Sequence, residues 1–173
     1  MSEKRRLLGM TLDELKGVAS EVGLPGYAAK QMADWLYKKK VTSIAAMTNI
    51  AVAKRTLLEE SFEVGAVPPS DLMKSVDGTI KYLYPAGPGN FVESVYIPTE
   101  DRATLCVSSQ VGCKMNCLFC MTGKQGFTKN LSANEILNQI QSLPETEELT
   151  NIVFMGMGEP LDNVDELFKV LEI

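Results

Sequence analysis

The chain has 173 residues, of which 45% are hydrophobic and 23% charged, and it carries a formal net charge of −5 with no histidine. This composition supports a buried core and so excludes a disordered chain, while the acidic balance differs from the basic surface of most nucleic-acid-binding domains. Without histidine, the candidate acid–base groups are carboxylates, lysines and cysteines.

No apolar run reaches the length of a membrane span, and the opening residues, MSEKRRLLGMTLDELKG, do not have the pattern of a secretory signal. Three of the four cysteines fall within eight residues. That spacing favours metal binding in a reducing compartment over a disulfide framework. We therefore expect a cytoplasmic protein with no membrane partner.

Residues 1–68 predict a helical accessory domain. Helices are predicted after a capping box at Thr11–Glu14, over 27–39 with Met32, Trp35 and Leu36 inward, and over 51–60 with a start at Thr48-Asn49. The lysine run at 38–40 is typical of a solvated surface. The helical region is expected to end near Pro68-Pro69.

Residues 69–101 predict a β-hairpin and linker strands. The pattern changes to strand at Leu72, and Asp77-Gly78 is a typical hairpin turn. Strands are then expected over 80–84 and 91–97, on either side of the turn sequence GPGN.

Residues 102–173 predict a β-loop-α-β unit. Its parts are a strand over 103–107, the cysteine loop, a helix capped at Ser132–Glu135 that runs to Leu143, a strand over 151–157 and a helix over 164–171. A right-handed crossover makes the two strands parallel, which brings the two following loops to one rim. Two parallel strands cannot close a barrel. We expect an α/β fold in which a helical domain and a short β segment precede the first part of a (β/α) barrel in a truncated chain.

Cys113, Cys117 and Cys120 have the spacing C-x₃-C-x₂-C. Three thiolates on one tight loop can hold three irons of a [4Fe–4S] cluster and leave the fourth iron open. The open iron can chelate S-adenosylmethionine, whose reductive cleavage supplies a radical. Two alternatives stay open: a structural zinc with Cys106 as the fourth ligand, or an ordinary electron-transfer cluster.

Five further residues have both a functional and a structural interpretation. Gly158 and Glu159 lie in the sequence GMGEP, which is either a β-to-α turn or a cofactor contact at the cysteine rim. Phe119 could cover a cofactor adenine or only exclude water from the cluster. Cys106 on a strand is typical of packing, and alternation along the strand could place Glu93 toward solvent.

The sequence resembles the dual-specificity RNA adenine-C2 methyltransferases of the radical-SAM superfamily, over nearly its whole length. The stretches that carry the resemblance are QMADWLYKK at 31–39, DGT at 77–79, VESV at 92–95, RATLCVSSQVGCKMNCLFC at 102–120, TGKQGF at 122–127 and MGMGEP at 155–160. Of these, the run around the cysteines is highly specific.

The resemblance implies a radical-SAM barrel and a role for each candidate residue. Cys113, Cys117 and Cys120 would hold the [4Fe–4S] cluster, while Gly158 and Glu159 would contact S-adenosylmethionine. A methyl group would first be moved to a cysteine near the C-terminus and then added to adenine C2, which leaves a covalent RNA–enzyme adduct. Glu93 would remove the C2 proton, and Cys106 would resolve the adduct by forming a disulfide with the methyl-carrying cysteine.

The implied partners are large-subunit rRNA, tRNA and an external reductant such as flavodoxin, and the native-length protein is expected to be a monomer. The resemblance also implies that the helical domain over 1–68, with its lysine run at 38–40, could contact RNA. No cysteine follows Cys120 in this sequence, so the methyl-carrying residue is missing and the chain alone is not expected to turn over. One alternative is the C8-directed rRNA adenine methyltransferase. Another, of a different class, is a non-catalytic metal-binding RNA module.

Overall fold

A computed structural model describes residues 4–173, and these form two compact units. The first ends at Ala66 and includes the last five residues, Lys169–Ile173, while the second is Val67–Phe168. The α/β class expected from the sequence is confirmed. The division at 1–68, 69–101 and 102–173 stays a prediction, because these units reflect compactness and not function.

The first unit is mainly helical in its described part. Its elements are β1 (Arg5–Arg6), α1 (Leu12–Glu21), α2 (Ala28–Ala33), a π-helical turn (Asp34–Lys38), a 3-10 turn (Ile44–Ala46), α3 (Val52–Ser61) and β2 (Phe62–Glu63). β1 pairs with β2 in parallel, so the helical domain expected over residues 1–68 also contains two short strands that the sequence analysis did not predict. Residues 1–3 of that expectation lie outside the described part.

The predicted capping box of α1 is confirmed. The Thr11 side chain accepts from the Glu14 amide, and the Glu14 carboxylate accepts from the Thr11 amide at 2.7 Å. Such a cap stabilises a helix by about 1 kcal/mol. The apolar stripe behind it packs into one core, which is made of Leu7, Leu15, Val18, Ala19, Ala29, Met32, Leu36, Ile44, Met47, Ile50, Leu58, Phe62 and Val64.

The predicted start of the third helix at Thr48-Asn49 is wrong. α3 begins at Val52 after Ala51, and no side chain caps it. The Asn49 side chain instead accepts a hydrogen bond from the indole Nε1 of Trp35 at 2.5 Å. Trp35, which was predicted to face inward, is only partly buried, and the Lys39 ammonium lies 3.5 Å from the centre of its ring.

The second unit is built on a five-stranded sheet of order β3-β4-β5-β6-β9, with a separate β7-β8 pair. The strands are β3 (Asp71–Lys74), β4 (Ile80–Pro85), β5 (Phe91–Pro98), β6 (Ala103–Cys106), β7 (Gln110–Gly112), β8 (Phe127–Asn130) and β9 (Asn151–Val153). The helices are α4 (Met121–Gln125), α5 (Ala133–Gln141) and the first part of α6 (Val164–Glu172), whose residues from Lys169 onward belong to the first unit. There are 3-10 turns at Thr146–Glu148 and Pro160–Asn163.

The sheet has one buried and one open face, because side chains alternate along each strand. Tyr82, Tyr84 and Tyr96 are on the buried face, and their hydroxyls donate to Glu145, to the Gln139 carbonyl and to Glu148. The open face consists of the partly exposed alternate residues, which are Lys81, Leu83, Glu93, Val95, Thr104 and Cys106.

The parallel pairing of β6 with β9 is confirmed, as is the capping box at Ser132–Glu135. The predicted strand over 151–157 is too long, since β9 ends at Val153. Residues 154 and 155 leave the ladder, and the Gly156 amide then returns to donate to the Val107 carbonyl at 3.1 Å. Across residues 4–173, no helix is both long enough and apolar enough to span a bilayer.

Candidate functional site

The cysteine loop, residues 113–120, is fixed at its base by the β7-β8 pair, which the sequence analysis did not predict. The Cys113 amide donates to the Gly126 carbonyl at 3.1 Å, at the junction between β7 and β8. Gly112 has φ +76°, and a Cβ there would lie 1.7 Å from that same carbonyl oxygen. Glycine is therefore required at 112 for the two chain segments to approach so closely.

The three loop cysteines are free thiols. The Met115 amide donates to Cys113 Sγ at 3.5 Å. The Gly123 amide, with help from Thr122, lowers the pKa of Cys120 against the opposing effect of desolvation. N–H donors of this kind stabilise a thiolate, which is the form that binds iron or zinc.

The loop fits a cluster by its donor chemistry, because it offers three free thiols, and the sulfurs of Cys113 and Cys120 accept hydrogen bonds from backbone N–H groups. Among residues 4–173, however, no three His, Cys, Asp or Glu side chains are grouped as a ready metal site, and this holds for the set that includes Cys106. The structure thus supplies the ligands and the loop that carries them. Metal analysis distinguishes an iron–sulfur cluster from a structural zinc.

The glycine loop, Gly156–Pro160, lies directly against the segment that joins β6 to β7. A Cβ on Gly156 would lie 2.7 Å from Ser108 Oγ, and one on Gly158, where φ is +99°, would lie 2.6 Å from the Gln110 side chain. The Ser109 amide donates to the Met157 carbonyl at 2.9 Å. The glycines are required by this close approach, and the contact brings the cysteine and glycine loops to one rim.

Gln110 is the central link at this rim. It is fully buried, its Oε1 accepts from the Glu159 amide at 2.9 Å, and its Nε2 donates to Asn130 at 2.9 Å and to Asp162 Oδ2 at 2.8 Å. The Glu159 carboxylate caps the following 3-10 turn by accepting from the Leu161 amide. A single amide side chain thus positions the backbone of the predicted cofactor-binding residue Glu159.

Ser108 connects this rim to the strand that carries Glu93. Its hydroxyl donates to the Glu93 carbonyl and accepts from the Met157 amide at 2.8 Å. Gln139 of α5 bonds to both the amide and the carbonyl of Ser108, at 2.9 and 3.0 Å. The side-chain Nδ2 of Asn163 donates to the backbone carbonyls of Ser109 and Leu131.

These buried polar residues are the ones that sequence reasoning missed. The run Ser108-Ser109-Gln110 lies between Val107 and Val111, inside a segment that is otherwise apolar. Polar side chains in such a segment must find hydrogen-bond partners if they are buried. That was the available signal for Ser108 and Gln110, whereas nothing local in the sequence distinguishes Gln139 or Asn163.

Glu93 and Cys106 lie on the open face of the sheet. Cys106 is directly opposite Val95 in the β5-β6 register, so Glu93 is its diagonal neighbour, at about 7–8 Å between Cα atoms for such pairs. The Glu93 carboxylate forms an ion pair with Lys81 at 2.9 Å. Partial burial raises the pKa of Cys106, although a hydrogen bond from the Met155 amide partly offsets this effect. The structure therefore brings the two predicted catalytic residues together.

Phe119 lies at the far end of the cysteine loop and is 91% exposed, so it does not pack over any described residue. Its neighbours Leu118, Met115 and Met121 are exposed as well. The loop thus presents apolar side chains beside the cysteines, and within residues 4–173 Phe119 is too exposed for packing to fix its position.

The opposite pKa shifts of two thiols lead to a testable difference in reactivity. In iron-free protein near neutral pH, we expect iodoacetamide to alkylate Cys120 about tenfold faster than Cys106, because Cys120 has the larger thiolate fraction. The ratio should fall once the pH exceeds the lowered pKa of Cys120, because Cys106 then still gains thiolate while Cys120 gains progressively less. Peptide mass spectrometry measures both rates, and the difference should vanish in urea. Equal rates in the folded protein would contradict the assigned environments.

Comparison with family models gives two matches that together cover both ends of the chain. Residues 6–64 match the model described as ribosomal RNA large subunit methyltransferase N-terminal domain. Residues 107–173 match the radical SAM superfamily model. The second match contains the cysteine loop and the glycine loop.

Comparison with curated proteins gives relatives along the whole chain. A probable dual-specificity RNA methyltransferase RlmN from Parabacteroides distasonis is 84% identical over all 173 residues, and this alignment covers 50% of that protein. The dual-specificity RNA methyltransferase RlmN of Geobacter sulfurreducens is 47% identical, over 95% of this chain and 46% of its own length. The chain spans about half the length of the curated relatives it matches.

One solved structure matches the fold closely. It is a crystal structure of a radical SAM methyltransferase from Sphaerobacter thermophilus, with a TM-score of 0.88 and 35% sequence identity. The match covers 98% of this chain and 51% of that one. The expectation of a partial radical-SAM barrel is thereby confirmed.

Proposed function

Because the chain belongs to the RlmN family of radical SAM RNA methyltransferases, we propose that the native-length protein methylates C2 of adenine in large-subunit rRNA and in tRNA. The observation that carries this proposal is the arrangement of two loops at one rim. Gln110 joins β7, the strand that leads into the cysteine loop, to the glycine loop, and Glu93 with Cys106 lies on the adjoining sheet face.

Two cofactors are proposed for the rim. Cys113, Cys117 and Cys120 would hold a [4Fe–4S] cluster, and Gly158, Glu159 and Phe119 would contact S-adenosylmethionine. When bound, these groups supply the one-electron chemistry that activates an otherwise unreactive C–H bond. The residues of this chain contribute by fixing the glycine loop to β7, the strand that leads into the cysteine loop, because the Gln110 side chain accepts a hydrogen bond from the Glu159 amide.

Glu93 and Cys106 are proposed to act late in the reaction. The methyl group would be carried by a cysteine that lies outside this sequence, and a covalent RNA–enzyme adduct would form through it. The Glu93 carboxylate would take the proton from C2 of the adenine. The Cys106 thiolate would attack the sulfur of the carrier cysteine, so that an S–S bond forms as the S–C bond breaks. The electron pair of that S–C bond would stay on the methylene carbon, which would take up a proton, returned by Glu93 or by water, to become the methyl group of the product.

The proposed partners follow from the same chemistry. An electron donor such as flavodoxin would reduce the cluster, and rRNA and tRNA would be the substrates of a native-length monomer. We also propose a cytoplasmic location, because both RNAs are found there and thiols stay reduced there.

The proposal is tested with native-length protein, anaerobically reconstituted and supplied with S-adenosylmethionine, reductant and unmodified rRNA or tRNA fragments. We expect nucleoside mass spectrometry to detect 2-methyladenosine in both RNAs. 8-Methyladenosine in the rRNA fragment alone would favour the C8-directed enzyme. Protein that binds zinc and transfers no methyl group would instead indicate a metal-binding RNA module.

A further inference from the structure

An ion pair joins the cysteine loop to the segment that follows the glycine loop. Lys114, which directly follows Cys113, lies with its Nζ 3.0 Å from Asp162 Oδ2. Asp162 is three residues after Glu159, within the 3-10 turn that Glu159 caps. The pair thus connects the first of the three predicted cluster ligands to the predicted cofactor-binding residue.

The Asp162 carboxylate is held in place by hydrogen bonds that do not involve Lys114. Gln110 Nε2 donates to the same oxygen, Oδ2, at 2.8 Å, and Asn130 Nδ2 donates to the Asp162 carbonyl. Hydrogen bonds from Lys114 and Gln110 lower the pKa of Asp162, so it carries a full charge at neutral pH. A fixed acceptor reduces the side-chain entropy that an ion pair costs.

The Lys114 ammonium group has a second contact, with an aromatic ring. Its ammonium group lies 4.3 Å from the centre of the Phe127 ring on β8, in the range of a cation–π contact. Lys114 therefore bridges the cysteine loop, the β7-β8 pair and Asp162. Lys124, on α4 after the last loop cysteine, is exposed and forms no ion pair with any residue from 4 to 173.

We propose that Lys114 and Asp162 are positioning residues, which hold the cysteine loop at the correct distance from the glycine loop for S-adenosylmethionine to bridge the two. This inference rests on the proposed function, in which the cofactor contacts both loops. A ligand that makes two contacts binds more weakly when the distance between them fluctuates, because binding must then order both loops. Cluster assembly uses ligands from one loop only and should not depend on the pair.

The test compares Lys114→Met, Asp162→Asn, the double variant and the control Lys124→Met in native-length protein. Each of the first two changes should raise the Kd for S-adenosylmethionine about three- to fivefold in 0.05 M salt, the upper range for partly exposed pairs. The double variant should be no weaker than either single one, because both remove the same contact. In 1 M salt the difference from wild type should nearly disappear, whereas iron content should not change.

A second readout separates this inference from the proposed function. In protein without S-adenosylmethionine, amide hydrogen exchange in peptides covering 113–120 should be faster in Lys114→Met than in Lys124→Met. If reconstituted wild type does not bind the cofactor, the proposed function fails and hydrogen exchange alone decides the positioning role. Equal rates of amide hydrogen exchange in Lys114→Met and Lys124→Met would overturn the positioning role of Lys114. Where the cofactor binds, an equal Kd for S-adenosylmethionine in Lys114→Met and wild type would overturn it as well.

Discussion

Replacing Cys117 by Ala is expected to remove the iron–sulfur cluster from native-length protein. Wild type should hold about four irons and four sulfides per chain after anaerobic reconstitution, and the variant should hold fewer than about one. The physical reason is that three thiolates are the minimum that fixes such a cluster with one open iron. Cys117 is the most exposed of the three, so its loss should not disturb the packing of the loop base.

The control for this experiment is Cys106→Ala, because that substitution also removes one thiol from the same unit. Cys106 lies on the sheet face and not in the cysteine loop, so its loss should leave the iron content unchanged. Iron and sulfide are measured by colorimetric assay, and the absorption near 400 nm gives an independent check. Full iron content in Cys117→Ala, or a preference of wild type for zinc, would show that the cluster assignment is wrong.

The sequence predicted the elements whose signals are local. The capping boxes at Thr11 and Ser132 formed as expected because each motif satisfies backbone donors within four residues of itself. The hairpin around Asp77-Gly78 formed for a similar reason, since the turn residues and the alternating strands specify it together. The parallel pairing of β6 with β9 followed from the handedness of the crossover.

The errors arose where distant residues determine the local structure. Thr48-Asn49 has the composition of a helix cap, yet Asn49 bonds to Trp35, fourteen positions earlier in the chain. Strand β9 ends early because residues beyond it bond to the segment around Ser108 instead of continuing the ladder. The β7-β8 pair was missed since β7 has only three residues and no strand-like run announces it.

The candidate site shows the same division. The spacing of the three cysteines identified the loop, because ligand spacing is a property of the sequence alone. The link through Gln110 to Glu159 and Asp162 joins positions about fifty residues apart, and no local pattern indicates it. Likewise, only the strand register shows that Glu93 and Cys106 are diagonal neighbours.

Replacing Cys106 by Ala, or Glu93 by Gln, is expected to trap native-length protein on its RNA. The proposed chemistry needs both residues only after the bond between the carrier methyl group and adenine has formed. Without the thiol, nothing displaces the base from the carrier cysteine, and without the carboxylate, the C2 proton stays in place. Product formation should therefore fall by about 10² or more, while a covalent adduct accumulates.

The adduct is measured on a denaturing gel with labelled RNA, after anaerobic incubation with reductant and S-adenosylmethionine. Thr104→Ala is the matched control, because Thr104 lies on the same open face of β6, two residues before Cys106, and should neither trap RNA nor lose activity. Cys117→Ala should show no adduct, since the reaction cannot begin without the cluster.

The Glu93 variant should also lose its ion pair with Lys81, so a Lys81→Met variant with normal turnover is needed to assign trapping to the carboxylate itself. Normal methylation by Cys106→Ala would mean that this thiol serves only packing, which its partial burial would by itself allow.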